Sequence, residues 1–364
     1  MPHDGATPAA GEECDDKSTF VRGAFRLVGR CSKLVEGITM KLPRRQFLRL
    51  AAGAAALPAA SRIAWAQTYP WRPVRILVGF TAGGAFDIVA RLMGQWLSEQ
   101  FSQPFVVENR PGASTNIATE AVIRAPADGH TLLLGGATNA INATFYEKLN
   151  FNFIKDTVPV IGVVRFPNVM EVNPSFPAKT VPEFVAYAKA NPGKINMGSA
   201  GNGTSQHLAG ELFKMMAGVN LVHVAYRGAP QALTDLIGGQ VQVSFDPLPA
   251  SIEYIKSGRL RALALTTTAR SQALPDLPTV SDFVPGYEAS AWNGICAPTN
   301  TPTEIIEKLN KAINAGLADP KMKARLADLG ATTLAGSSAD FGKLIVDETE
   351  KWGKVIRAAS IKPD

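Results

Sequence analysis

The sequence predicts an α/β protein of two lobes, each a mixed, mostly parallel sheet flanked by helices, with two crossover strands between the lobes. Three observations support this prediction. Short aliphatic runs alternate with amphipathic stretches, which is typical of parallel sheets covered by helices. The alternation pauses near Asn173-Pro174 and then begins again. After one last strand pattern, the C-terminal stretches are all helical in pattern, so the chain is expected to return to its first lobe.

The first set of elements occupies residues 67–170. Strands are expected where β-branched and aliphatic residues dominate, and helices where apolar residues recur every three or four positions. The predicted strands are 74–80, 105–108, 131–135 and 158–165, and the predicted helices are 85–100, 116–124 and 140–148.

The second set occupies residues 171–288, and the first lobe is completed by residues 289–364. In residues 171–288 the predicted strands are 195–198, 221–225, 241–245 and 261–266, and the predicted helices are 181–190, 205–217, 230–237 and 249–257. In residues 289–364 the predicted strand is 291–297, and the predicted helices are 302–318, 320–329 and 339–359. Crossings between the lobes are expected near 167–174 and 285–293, where they would act as a hinge beside a cleft. The alternative is a third, helical domain at the C-terminus.

Composition and charge exclude several classes of protein. The chain has 364 residues, 46% of them hydrophobic and 19% charged, which excludes a mainly disordered chain. The formal charge is +6, but residues 1–66 hold 10 basic and 6 acidic residues and so contribute +4 of it. Because the remaining residues are nearly neutral, we expect no nucleic-acid partner.

The N-terminal segment has the pattern of an export signal. Arg44-Arg45 precedes Phe47-Leu48, an uncharged run extends over 50–61, and Ala64-Trp65-Ala66 resembles a cleavage site. This order indicates a signal peptide, and the arginine pair favours the twin-arginine route to the periplasm. The run of 12 uncharged residues is short for a bilayer span of about 20; an uncleaved anchor or a buried helix is the alternative.

Cleavage after Ala66 would leave a mature chain of 298 residues that begins at Gln67. Met40 followed by Lys41 is a second possible start of translation. In the mature chain Cys296 is the one cysteine, so no internal disulfide is expected even in an oxidising compartment.

Two glycine-rich loops are the candidate binding elements. The first, 79–87, includes Phe80, Ala82, Gly83, Gly84 and Asp87 and joins a predicted strand to a predicted helix. Glycines let a ligand approach the backbone, and the unpaired N–H groups of a helix start attract anions. The loop matches neither a Walker motif nor G-x-G-x-x-G. The alternative is a tight turn held by Asp87.

The second loop, 198–205, has the same position in the second lobe. It offers Ser199, Gly201, Asn202, Thr204 and Ser205 as backbone, hydroxyl or amide donors. Because ligands of open α/β sheets lie at the carboxyl ends of the strands, the two loops could hold one anion between the lobes. A third loop, 136–139, which ends in Asn139, could join them.

Each of the other candidate residues has a possible structural role as well as a possible role in binding. Arg227 could pair with a ligand carboxylate or lie in solvent. Asp246 could bind an ammonium or hydroxyl group or cap the next helix. Phe80 and Trp292 could cover an apolar ligand surface or belong to the core. His207, at a helix start, is more typical of a structural donor than of a catalyst.

Patterns typical of catalysis are largely absent from the sequence. No serine lies in G-x-S-x-G, His207 and His223 lack zinc-ligand spacing, and Cys296 has no nucleophile motif around it. The sequence therefore predicts neither an enzyme nor a metal or other cofactor, although a dispersed triad stays possible.

The sequence resembles a known family, the substrate-binding proteins of tripartite tricarboxylate transporters, which are also called Bug proteins. The matching stretches are 69–76, 78–87, 107–113, 125–133 and 226–232. Departures from the family pattern are Thr81 in place of a proline, His130 in place of a tyrosine, and Ser114-Thr115 where two glycines are frequent.

The resemblance implies a type II-like periplasmic binding protein, here expected as a monomer, that closes on a small carboxylate with the help of bridging waters. It implies membrane subunits of a transporter as partners. Carried over by position, the implied ligand contacts are Phe80, Ala82, Gly84, Asp87, Asn139, Ser199, Gly201, Thr204 and Asp246.

Two other functions stay open from the sequence. A secreted hydrolase of a carboxylate ester would need Ser199 or Ser205 beside His207, with an orienting acid. A sensory adaptor would hand the ligand-bound state to a membrane kinase. The sequence does not identify the carboxylate: di- and tricarboxylates, acidic amino acids and aromatic acids all fit.

Overall fold

A computed structural model describes residues 68–358 and 361–362. The predicted export signal, its cleavage site and the possible start at Met40 lie outside the described residues. None of the described helices is both long and apolar enough to cross a membrane.

The described strands and helices alternate along most of the chain. The strands are β1 Val74–Val78, β2 Phe105–Asn109, β3 Thr131–Gly136, β4 Thr157–Val172, β5 Asn196–Ser199, β6 Val222–Ala225, β7 Val243–Pro247, β8 Arg261–Leu265, β9 Ser290–Pro298 and β10 Thr332–Thr333. The helices are α1 Ala85–Phe101, α2 Asn116–Ile123, α3 Ala137–Phe145, α4 Phe153–Asp156, α5 Val181–Ala190, α6 Ser205–Ala217, α7 Ala229–Ile237, α8 Leu248–Lys256, α9 Thr303–Ala318, α10 Pro320–Asp328 and α11 Ser338–Ala358.

The sheet has two parts that share strand β4. In the first part β2, β1 and β3 are parallel, and β9 joins β3 and β4 in antiparallel fashion. In the second part β6, β5 and β7 are parallel, and β7 and β8 pair with opposite edges of β4. The predicted α/β class, with mixed sheets and crossover strands, is confirmed.

Strand β4 is longer than the sequence prediction, which ended it at Arg165. It continues for 16 residues and changes partner on the way. Pro167 is its last residue opposite β9, and Asn168 is its first opposite β7. A proline is tolerated there because it lies at the end of one hydrogen-bonded ladder and not inside it.

The chain passes between the two parts of the sheet at two adjacent places. One is the Pro167–Asn168 step of β4; the other is the step from Ala289 into β9. Thr266 links them, since its backbone N–H donates to Asn168 at 2.9 Å and its carbonyl accepts from Ala289 at 2.9 Å. The two connections therefore lie side by side in the fold.

The C-terminal helices pack on the first part of the sheet and form no separate bundle. The α9 carbonyl of Ala312 accepts a hydrogen bond from Trp96 of α1 at 2.9 Å, and Asn310 donates to Val160 of β4 at 2.9 Å. As expected, these helices have no sheet of their own. One short strand among them, β10, which the sequence analysis did not predict, pairs with β4 at Arg165. The end of α11 reaches the second part, where Trp352 is fully buried.

Candidate functional site

Four helix starts surround one small cavity between the two parts of the sheet. They are the first residues of α1 and α7, the second residue of α6, and the residue before α8. The residues that line the cavity are Phe80, Thr81, Gly84, Ala85, Phe86, Ala200, Gln206, Ala229 and Pro247. Unpaired N–H groups and the positive end of the helix dipole lie at each start. This arrangement therefore favours the binding of an anion, even though none of the described residues that line the cavity has a cationic side chain.

The first loop is held in shape by Asp87. Its carboxylate accepts hydrogen bonds from the Gly83 N–H at 2.9 Å, from Asn109 at 3.0 Å and from Arg91 at 2.9 Å. Burial raises the pKa of Asp87, but the bonds from Arg91, Gly83 and Asn109 outweigh burial and lower it overall. The side chain is 3% exposed and has these protein partners, so Asp87 positions the loop instead of lining the cavity.

The second loop is held by its own hydroxyl groups. Thr204 caps α6, where its hydroxyl accepts from the His207 N–H, and the same hydroxyl donates to the Gly201 carbonyl at 2.7 Å. The Ser199 hydroxyl accepts from the Gly201 N–H at 3.1 Å. Ser199 and Thr204 are fully buried. These side chains fix the backbone of the second loop, and Ala200 is the residue of that loop that lines the cavity.

His207 has a structural role beneath this loop, although it accepts a hydrogen bond where the sequence analysis expected a donor. Its Nδ1 accepts the Gly203 N–H at 3.0 Å, and its ring stacks on His223 at 3.8 Å between centroids. Burial lowers the pKa of His207 to about 3, and the neighbouring His223 and Lys214 act in the same direction. The imidazole is therefore neutral at physiological pH, which leaves Nδ1 free to accept.

The two parts of the sheet touch around the cavity. The Ser114 hydroxyl, before α2, donates to the carbonyl of Asn202 in the second loop. Gly228 lies so close to Thr81 that a methyl group on its Cα would overlap the Thr81 hydroxyl. The cavity leaves about 20 Å³ for the centres of water-sized atoms, room for one or two waters. A larger ligand therefore requires the residues that line the cavity to rearrange.

Thr81 and Gln206 bring polar side chains to the wall of the cavity. The Thr81 hydroxyl is buried and has no hydrogen-bond partner among the described residues. Gln206 is 5% exposed and donates to Asp246 at 3.3 Å. The sequence analysis missed both residues. Gln206 is the second residue of α6, so its place at a helix start is the signal that could have identified it.

A pair of buried acids lies below Gln206. Asp246 and Glu171 are 0% exposed, on the neighbouring strands β7 and β4. Burial raises the pKa of Asp246 to about 6, against hydrogen bonds from Ser244 and Gln206. Burial, and then the charge of Asp246, raises the pKa of Glu171 well above its usual value. Asp246 reaches the cavity only through Gln206, because it does not line the wall itself.

Several predicted site residues lie away from the cavity wall. The loop expected at 136–139 does not exist, because β3 ends at Gly136 and α3 begins at Ala137. Asn139 is buried, accepts the Gly136 N–H at 2.9 Å and donates to Thr115 and Thr119. An amide at the third helical position can cap the strand–helix junction, which leaves no room for a loop.

Of the other predicted site residues, some lie at the surface, one lies in the core and one lines the cavity. Ala82, Gly83 and Arg227 are exposed and absent from the wall. Trp292 is fully buried against Phe341, with ring centroids 5.8 Å apart, so the core alternative describes it. Phe80 does line the cavity and contacts Phe86, with centroids 4.9 Å apart.

A serine–histidine contact of the kind that a hydrolase would need is present, but with a different histidine from the one expected. Ser199 Oγ lies 2.6 Å from Nε2 of His223, not beside His207. Ser199 is 0% exposed and does not line the cavity. In this conformation a substrate carbonyl has no access to its hydroxyl.

The fold and the site define the two-lobed class of periplasmic binding proteins. The sequence matches the family described as "Tripartite tricarboxylate transporter family receptor" over residues 89–361, and the chain belongs to this family. Among curated relatives, Protein BugT of Bordetella pertussis (strain Tohama I) is 34% identical over 300 residues, 82% of this chain and 92% of BugT. A UPF0065 protein from Pseudomonas sp. (strain P51) is 36% identical over 292 residues, 80% of this chain and 87% of the relative.

Solved structures show the same fold. The chain is similar to R. palustris Rpa4515 with adipate, at 38% identity and a TM-score of 0.80, covering 81% of this chain and 100% of that one. It is also similar to MatC from Rhodopseudomonas palustris with bound malate, at 30% identity and a TM-score of 0.75, covering 79% and 100%. The periplasmic binding protein BugD is 33% identical, with a TM-score of 0.78 over 81% of this chain and 100% of BugD.

Proposed function

We propose that this chain is a periplasmic solute receptor that binds a small carboxylate between its two lobes. The supporting observation is the convergence of four helix starts on one cavity whose walls come from both parts of the sheet. Among the described residues, no lysine or arginine side chain lines that cavity, so backbone N–H groups would hold the acid, with the Thr81 hydroxyl as a further donor. Relatives with adipate and malate agree with this ligand class.

The proposed mechanism is capture by hinge closure. The lobes would be 67–170 with 289–364 and 171–288, as the sequence predicts, and would rotate about the paired crossings. A ligand that contacts helix starts of both lobes binds the closed form better than the open form, so it shifts the population towards closure. The contact of Gly228 with Thr81 and the Ser114–Asn202 hydrogen bond would form only on closure.

A thermal-shift screen of the mature chain tests the ligand class. The panel should hold dicarboxylates, citrate, glutamate, aspartate and aromatic acids, each beside its uncharged amide. A ligand at 100 times its Kd adds about 2.7 kcal/mol of stability, so a true ligand should raise the melting temperature clearly while its amide does not. If no acid of the panel raises the melting temperature, the receptor proposal fails.

The site is proposed to bind its ligand without changing it. The buried position of Ser199 supports this, since a nucleophile has to reach the substrate. Incubating the protein with methyl esters of each acid that binds, and following acid release, tests the hydrolase alternative. Release that disappears in Ser199→Ala would favour the hydrolase.

Export and partners complete the proposal. We expect the twin-arginine route, so that Arg44→Lys with Arg45→Lys should retain the protein in the cytoplasm, whereas Arg62→Lys should not. The proposed partners are membrane subunits of a tripartite tricarboxylate-type transporter. Crosslinking in membranes with and without the ligand would identify either these subunits or, for the adaptor alternative, a kinase.

A further inference from the structure

A second cavity lies at the hinge, separate from the cavity of the proposed receptor site. Its volume is about 650 Å³, and none of its lining residues lines the other cavity. Its walls come from the middle of β4, the segment 267–272 after β8, the start of β9, and the segment from α10 to β10. We refer to it as the hinge cavity.

Positive charge dominates the lining of the hinge cavity. Three cations, Arg165, Arg270 and Lys323, face one acid, Glu288. Glu288 is already paired with Lys351. The protein after residue 66 is nearly neutral, so three cations around one concave surface are not a reflection of general basicity.

Two of the three cations are only weakly engaged by the rest of the described chain. The third, Arg165, donates to the Ser290 hydroxyl at 2.8 Å and forms an ion pair with the buried Glu348 carboxylate at 3.9 Å. Arg270 makes one long bond of 3.5 Å to a carbonyl oxygen. Neither Arg270 nor Lys323 forms an ion pair with any residue that the structure describes.

Hydroxyl groups complete the donor set of the hinge cavity. Thr268 and Ser271 come from the segment after β8, and Thr333 comes from β10; the hydroxyl of Thr332 already donates to the Arg165 carbonyl. Guanidinium, ammonium and hydroxyl donors together suit an oxyanion with several acceptor oxygens. The volume falls within the range of roughly 300–1,000 Å³ that is usual for small-molecule sites.

We propose that the hinge cavity is a second binding site, for a small oxyanion that carries at least two negative charges. Phosphates and polycarboxylates share this chemistry. Because Arg270 and Lys323 are exposed, binding is expected to weaken as salt is added. The site differs in kind from the cavity between the helix starts, which uses backbone donors and no cationic side chain.

Pyrophosphate is a suitable probe, titrated into the mature chain by calorimetry at low and at high salt. The test variant is Arg270→Gln with Lys323→Gln. The matched control is Lys194→Gln with Lys311→Gln, which removes the same net charge at exposed lysines outside the hinge cavity. We expect the test variant to bind pyrophosphate about tenfold more weakly, and the control variant to bind it as the unchanged protein does.

Three results would overturn the proposal. They are no pyrophosphate binding at millimolar concentration, equal weakening in both variants, or unchanged binding in the test variant, which would place the anion elsewhere. The difference in citrate binding between the test and control variants separates a polycarboxylate from a phosphate as the preferred occupant, because any citrate in the other cavity contributes equally to both variants. Because the comparison needs no carboxylate in the other cavity, its outcome does not depend on the receptor proposal.

Discussion

The side-chain hydroxyl of Ser114 donates a hydrogen bond to the backbone carbonyl of Asn202, and this bond joins the two loops across the cavity. Ser114 has a φ of 48°, between Ala113 at 44° and Thr115 at 76°. Three consecutive side-chain-bearing residues in the left-handed region are costly. In the family that this sequence resembles, the positions of Ser114 and Thr115 are frequently glycine.

The first prediction concerns this bond. Ser114→Ala should weaken carboxylate binding by about 1 kcal/mol, or about fivefold in Kd, because a contact of the closed form is lost. Ser114→Gly should weaken binding similarly but raise the melting temperature of the ligand-free protein, since glycine adopts this φ without strain. Ser257→Ala is the control, because its hydroxyl bonds only within its own helix end. Titration calorimetry and thermal melts measure both effects, and unchanged Kd values in both Ser114 variants would contradict the idea.

The second prediction tests closure directly. Gly228 has an extended φ of 174° that any residue adopts, yet an added methyl group would overlap the Thr81 hydroxyl. Gly228→Ala should therefore keep its stability and lose at least about tenfold in carboxylate affinity. Gly238→Ala, at the other end of α7 where the space is open to ordinary contact, should bind normally.

Adding Thr81→Ala to Gly228→Ala should restore closure with ligand present, because the overlapping hydroxyl is removed. The affinity should then recover only to that of Thr81→Ala alone, which lacks the proposed hydroxyl donor. Small-angle scattering would show whether Gly228→Ala holds the lobes apart with ligand present. Normal closure and affinity in Gly228→Ala would mean that the contact between Gly228 and Thr81 is not part of the bound state.

The third prediction concerns the first loop. Asp87→Asn should lower the free energy of unfolding by about 1–3 kcal/mol, because the amide offers one acceptor where the carboxylate offers two. The pKa of Asp87 is lowered in the folded protein, so its contribution is complete above the unfolded pKa of about 4 and disappears as the pH falls below it. Urea unfolding as a function of pH should show this loss of stability at acid pH in the unchanged protein and in the exposed control Asp328→Asn. The loss should be smaller in Asp87→Asn.

The fourth prediction concerns Asp246 and has the opposite sign. Its pKa is raised to about 6 in the folded protein, so between about pH 4 and pH 6 the folded state holds more protons than the unfolded chain. Stability should fall as the pH rises through this window and stay lower above it. Asp246→Asn should remove this dependence and be more stable above about pH 6, by about 1–3 kcal/mol.

Urea unfolding at about pH 4.5 and about pH 7.5 measures the effect of Asp246. The exposed Asp276→Asn serves as the control. A pH profile in Asp246→Asn that equals that of the unchanged protein would assign the dependence to another group, with Glu171 as the first candidate to replace.

The sequence by itself determined the alternation of strands and helices, because period and composition are local properties. It also identified the two glycine-rich loops, since each follows an apolar strand and precedes a helix. It could not determine that Asn139 caps a strand–helix junction or that Trp292 belongs to the core, because both depend on which strands are neighbours.

Only the tertiary structure brought the starts of α7 and α8, with Ala229 and Pro247, to the cavity formed by the two loops. It also placed the Gln206 side chain, at the start of α6, in the wall of that cavity. The four helix starts are separated by long stretches of sequence, and no local pattern encodes their convergence. The same holds for the Ser114–Asn202 bond and for the three cations at the hinge. These contacts depend on the shared strand β4 and on the paired crossings beside it, which fix how the two parts of the sheet meet.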